Sequence, residues 1–150
     1  MGEGDNAMFH NILTLNNGIK IPQLGLGTWF IHDDIVVDAI KEAVNVGYRH
    51  FDTAQAYGNE IAVGNAIVKS GIDRKELFLV TKVNYKSYEN VRETVEQSLK
   101  NLQTDYIDLL ILHWPLQIIT MHGVNWKNFM KRVNYGLLVC QILNRDSLLT

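Results

Sequence analysis

Apolar and polar positions change their period several times along this chain. Leu13-Thr14-Leu15 and Ile19-Lys20-Ile21 alternate in twos. Asn17-Gly18 between them favours a type I′ turn, so the spacing predicts a β-hairpin that Pro22 ends. Leu24-Gly25-Leu26-Gly27 reads as a short buried strand, with glycines that suit close approach of another backbone. Asp33 or Asp34 can cap a helix in which Ile35, Val36, Ala39, Ile40, Ala43 and Val44 keep helical spacing, and Gly47 is its stop. Arg49-His50-Phe51-Asp52 is a second strand. A helix follows from about Asn59 to Ser70, with Ile61, Ala66 and Ile67 as core candidates and Gly71 after it.

Leu77 to Lys82 is a third strand, apolar almost throughout, as expected where both faces are covered. A third helix is predicted from Tyr88 to Leu102, with Val91, Val95, Leu99 and Leu102 on one stripe. Tyr106 to Leu112 is a fourth apolar strand. Weaker signals predict a helix between Trp126 and Tyr135 and a fifth strand over Leu137–Leu143. Strands alternating with helices imply a parallel sheet with helices outside, which fits both a (β/α)₈ barrel and a doubly wound sheet. Gly25-Leu26-Gly27-Thr28-Trp29-Phe30 lacks the third glycine of the dinucleotide fingerprint, and no P-loop lysine pattern occurs.

Composition narrows the class. The 150 residues are 47% hydrophobic and 20% charged, which excludes a disordered chain. This length predicts about one domain with a real core. A formal net charge of -2 argues against a nucleic-acid groove. The single cysteine, Cys140, cannot form an internal disulfide, so a reducing setting is expected. No apolar run reaches the ~18 residues of a membrane span, and the acidic N-terminus does not read as a signal peptide. Cytoplasm is the expectation by elimination. The charge is uneven: residues 1–110 carry 10 Lys/Arg against 15 Asp/Glu, a balance of -5, while residues 111–150 carry 4 against 1, or +3.

Three apolar strands end in ionisable side chains: Asp52, Lys82 and His113. The C-terminal ends of parallel strands lie on one side, where barrel enzymes place their chemistry. Tyr57 lies five residues after Asp52, in a loop that can return its hydroxyl to the same mouth. Taken singly, each has an ordinary explanation: a helix cap, a solvated lysine, a structural histidine, a turn tyrosine. As a set they make proton chemistry. Free tyrosine is a weak acid with a pKa of about 10, and a nearby ammonium favours its phenolate. A carboxylate keeps that ammonium charged, and an imidazole can orient a substrate oxygen. Proton donation from Tyr57 to a carbonyl oxygen is the natural reaction. No side chain can deliver the accompanying hydride, for which a nicotinamide cofactor is the usual donor.

These residues resemble those of the aldo-keto reductases. The matching segments are Gly25–Trp29, Gly47-Tyr48-Arg49-His50-Phe51-Asp52-Thr53-Ala54, Ala56-Tyr57-Gly58-Asn59-Glu60, Val80-Thr81-Lys82, Asp105–Leu110 and Leu112-His113-Trp114-Pro115. The resemblance implies part of a (β/α)₈ TIM barrel, about its first four to five β/α units, with an N-terminal hairpin at its floor. It implies reversible, NADPH-dependent reduction of aldehydes and ketones without a metal. Tyr57 is then the general acid, Lys82 the cation that strengthens it, Asp52 the lysine's partner, and His113 the substrate orienter. Gly27, Thr28, Trp29 and Asp52 fall to the cofactor, and His113, Trp29 and Trp114 to the substrate.

The family pattern runs from about residue 10 to 138, fades over its last stretch, and gives way to a divergent tail at 139–150, within a single incomplete barrel domain. A whole barrel needs ~250 residues. In the resemblance, the absent half holds most of the NADPH. The expected chain is therefore a truncated, catalytically impaired reductase whose open barrel edges favour self-association. A non-catalytic interaction module is the alternative from another class. A sugar-phosphate barrel enzyme is a third and weaker reading, because its phosphate loops follow later strands.

Overall fold

A computed structural model describes residues 11–15, 17–113 and 138–140. Strand β1 (Ile12–Thr14) pairs antiparallel with β2 (Lys20–Pro22), with Leu13 opposite Ile21. The hairpin is the expected one, but its turn is not type I′. Leu15 N–H donates to Ile19 O and Gly18 N–H to Leu15 O, so the loop is one residue longer than two. Of the two described loop residues, Gly18 takes a positive φ, at 85°, and Asn17 does not. A left-handed Gly closing a three-residue loop has this geometry.

Five strands then form one parallel sheet. Their order is β3 (Leu26–Gly27), β4 (His50–Asp52), β5 (Phe78–Asn84), β6 (Leu109–His113) and β7 (Leu138–Cys140). The first four alternate with helices α1 (Asp33–Asn45), α2 (Glu60–Ser70) and α3 (Val91–Leu102). Helices pack on one side of the sheet, and the arrangement is part of an α/β barrel.

The period of two along each strand decides what faces where. Phe51, Leu79 and the α1–α2 residues Val36, Ile40, Ala43, Val63, Ala66 and Ile67 share the outer core. Val83 and Leu110 pack against Val91 and Val95 of α3. The opposite face stacks Phe78, Val80, Leu109 and Ile111, and the hairpin's Ile19 and Ile21 cover this layer. The hairpin thus floors the sheet's inner face. The next inward positions after Val80 and Ile111 are Lys82 and His113, so the apolar layer gives way to ionisable groups toward the C-terminal ends.

Several elements depart from the expected bounds and faces. Neither Asp33 nor Asp34 caps α1; His32 is the N-cap, without a side-chain bond, and both aspartates lie in the first turn where their charge suits the helix dipole. Ile35 and Ile61 are exposed, at 55% and 60%, because each lies about 100° around its helix from a buried neighbour, Val36 and Ala62. The helix predicted from Tyr88 starts at Val91, after a 3₁₀ stretch over Tyr85–Asn90. Strand β5 runs two residues past Lys82, since Asn84 still pairs with His113. Strand β6 begins at Leu109 rather than Tyr106. Of the two glycines in the first strand, Gly25 meets another residue closely: a Cβ there would lie 2.7 Å from the His50 ring, whereas one at Gly27 would meet nothing within 4 Å. The fifth strand is present at Leu138–Cys140, parallel to β6. The helix predicted at 126–135 lies outside the described residues.

At the N-terminal end of the sheet, Arg74 and Asp108 form a 2.7 Å ion pair, and Asp108 also accepts from Leu79 N–H. This clamp joins β5 to the approach of β6, far along the strands from Lys82.

Candidate active site

The register brings the strand ends together. Gly27 pairs with Asp52, Asp52 with Val80, and Lys82 with Ile111. Asp52 therefore lies one inward position below Lys82, within reach of a long side chain. The ammonium donates to both Asp52 carboxylate oxygens, at 2.7 and 2.6 Å, and to the Thr53 carbonyl at 3.0 Å. It also donates to the Tyr57 hydroxyl at 3.2 Å. Lys82 is buried, while about a third of the Asp52 side chain, 33%, meets solvent. A buried ammonium is tolerable here because each of its hydrogens has an acceptor.

Tyr57 reaches this point from a short 3₁₀ turn, Gln55–Tyr57, which the left-handed Gly58 (φ 74°) ends. The His113 ring meets the Tyr57 ring edge-on, with centroids 5.8 Å apart at 83°. Burial pushes the His113 imidazole below its ordinary pKa, the Lys82 charge pushes it further, and the Asp52 charge opposes both. The imidazole is therefore neutral at pH 7 and able to donate a hydrogen bond. The four residues expected to converge do so on one rim.

The cofactor and substrate candidates separate. Trp29 is exposed and stacks toward Tyr57 at 6.3 Å, with Phe30 against it at 4.6 Å. Both line an open cavity of about 620 Å³, together with His32, Asp33, Asp34 and Tyr57. Gly27 faces open space. Thr28 is fully buried; its N–H and hydroxyl both donate to the Asp52 carbonyl, at 2.9 and 3.3 Å. Its side chain holds the loop from behind. Trp114 lies outside the described residues.

Sequence reasoning gave no role to three residues that shape the site. Asn59 donates to the Thr28 and Ile31 carbonyls and accepts from the Thr53 hydroxyl, tying the Trp29 loop to the Tyr57 loop. Glu60 is a buried carboxylate that accepts from Thr81, Ser98 and Asn101. Gln55 bonds β5 and α3. A polar pair immediately after a turn, in front of an apolar helix, was the available signal for Asn59 and Glu60.

The sequence model described as "Aldo/keto reductase family" matches residues 23–133. The chain is 42% identical over 127 residues to methylglyoxal reductase DkgA of Escherichia coli (strain K12), covering 85% of this chain and 46% of that protein. It is 45% identical over 107 residues to glycerol 2-dehydrogenase (NADP(+)) of Saccharomyces cerevisiae, covering 71% and 34%. The chain thus spans about half the length, or less, of the curated relatives it matches. Among solved structures, the aldo/keto reductase from Brucella melitensis superposes with TM-score 0.80 at 41% identity, over 92% of this chain and 56% of that one. The family match over most of the chain and the likeness to these relatives lead to one conclusion: the chain belongs to the aldo/keto reductase family.

Proposed function

We propose that this chain carries the proton-donating part of an NADPH-dependent carbonyl reduction that turns an aldehyde or ketone into an alcohol. The observation behind this reading is the ammonium of Lys82 held between Asp52 at 2.6 Å and the Tyr57 hydroxyl at 3.2 Å. NADPH, when bound, supplies the hydride to the carbonyl carbon. The chain's own groups manage the oxygen. Tyr57 gives its hydroxyl proton to the carbonyl oxygen as negative charge gathers there. Lys82 stabilises the phenolate left behind, and Asp52 keeps the ammonium charged and aimed. Neutral His113 donates to the same oxygen and orients it.

The rim fits a flat, charged guest. Open space before Gly27, the exposed Trp29 ring and the solvent-facing part of Asp52 would meet the nicotinamide end, with Thr28 as backing. Trp29 and His113 flank Tyr57 as substrate walls. The relatives named methylglyoxal reductases make a small oxoaldehyde the first substrate to try.

The test follows NADPH absorbance with methylglyoxal added to the purified chain and to Tyr57→Phe. The parent should consume NADPH, and the variant should lose at least about a hundredfold in rate, because Phe has no proton to give. Full turnover by Tyr57→Phe would remove Tyr57 as the acid. The second reading is a non-catalytic interaction module. That reading predicts no NADPH consumption by the parent.

A further inference from the structure

We propose that Gln55 is a positioning residue: its amide pins the turn that carries Tyr57 to the strand that carries Lys82, and so sets their separation. The functional meaning of that separation rests on the reading of Tyr57 as the acid.

The turn cannot hold itself in place. It has three residues, closed by Tyr57 N–H to Ala54 O at 3.0 Å and Gly58 N–H to Gln55 O at 3.2 Å, with no side-chain cap and no buried residue. Such short 3₁₀ pieces have poor internal bonding. Gln55 supplies the external ties. Its Oε1 accepts from Asn84 N–H at 3.0 Å, and its Nε2 donates to Thr94 O at 3.2 Å and Ser98 Oγ at 2.9 Å. Donor and acceptor ends of the amide are both engaged.

The bonds continue into a closed circuit. Ser98 is fully buried, and its hydroxyl donates to Glu60 Oε2 at 3.3 Å. Glu60 Oε1 accepts from the Thr81 hydroxyl at 2.7 Å. Strand β5 is therefore gripped at Thr81 and Asn84, one residue before Lys82 and two after it. The Tyr57 segment is gripped at Gln55 and Glu60, two residues before the phenol and three after it. Acid and ammonium are each bracketed by the same circuit. Gln55 is its member nearest Tyr57, and it touches neither reacting group.

The test compares the full 150-residue chain with Gln55→Met, which keeps the side chain's bulk and deletes all three Gln55 amide bonds, and with Ser98→Ala, which deletes one of those three and the Ser98–Glu60 bond. The first readout is the nuclear Overhauser cross-peak between the Tyr57 ring protons and the Lys82 ε-methylene, scaled to cross-peaks within α2. The second is NADPH oxidation with methylglyoxal. Gln55→Met should weaken the scaled cross-peak and lower kcat about ten- to a hundredfold with KM changed less than about twofold. Ser98→Ala should fall between parent and Gln55→Met on both readouts. An unchanged scaled cross-peak in folded Gln55→Met overturns the proposal, whether or not the parent turns over substrate. If Gln55→Met does not fold, an unchanged cross-peak in Ser98→Ala overturns it. A weakened cross-peak alongside an active Tyr57→Phe keeps Gln55 as the pin and removes only the acid assignment.

Discussion

Lys82 grips both carboxylate oxygens of Asp52, at 2.6 and 2.7 Å, from a strand that pairs directly with the one carrying the acid. Removing one partner of such a pair leaves the other charge under-compensated. Asp52→Asn keeps the shape and one acceptor but drops the charge. Its cost in stability is about 1–3 kcal/mol, below that of a fully buried pair because a third of the Asp52 side chain, 33%, meets water. Denaturant melts measure this. NADPH oxidation should fall about tenfold or more, and Lys82→Met should fall further, since it removes the cation beside the phenol.

His113 gives the rim a pH signature. Its folded pKa lies below the ordinary 6.5, chiefly through burial and then through the Lys82 charge. Above about 6.5 both folded and unfolded states are neutral there, and the group contributes nothing to the pH dependence. As pH falls below that value, the unfolded chain takes up a proton that the folded chain refuses, so stability is lost until the folded pKa is passed. Thermal melts from pH 8 to pH 5 should show a drop that His113→Gln lacks. An NMR titration of the His113 ring protons should give a midpoint under 6.5.

Gly64 of α2 lies tight against the end of α3. A Cβ there would run into the Asn101 carbonyl and lie 2.8 Å from the Leu102 backbone. Gly64→Ala gains about 1 kcal/mol of helix propensity. Forcing two packed backbones apart costs about 1–3 kcal/mol. The clash wins because backbone atoms have no rotamer to escape into, so the melting temperature should fall by several degrees. Asn101 also holds Glu60, so the substitution should loosen the Tyr57–Lys82 geometry as well.

Some of this was readable in the sequence because its cause is local. Asp52, Lys82 and His113 sit at or near the ends of apolar runs, and parallel strands bring such ends to one side whatever the loops do. Tyr57 and Gly58 mark a turn by their residue types alone. Other features depend on partners far along the chain. The Gln55 ties reach Asn84, Thr94 and Ser98, and no spacing rule links position 55 to those. Ile35 and Ile61 are as apolar as their buried neighbours, and only the placement of the helices decides which side of each faces water. The hairpin turn failed for a different reason. Asn17-Gly18 suits two loop lengths, and the pairing of Leu15 with Ile19 selected the longer one.

Thr28 fastens to a single oxygen of Asp52 twice, once through its backbone and once through its hydroxyl. Asp52 thereby looks in two directions, its carboxylate to the ammonium and its carbonyl to the loop that displays Trp29. The aromatic wall and the charged pair form one mechanical body. A displacement of Asp52 would therefore shift both the ammonium's contact and the anchor of the Trp29 loop.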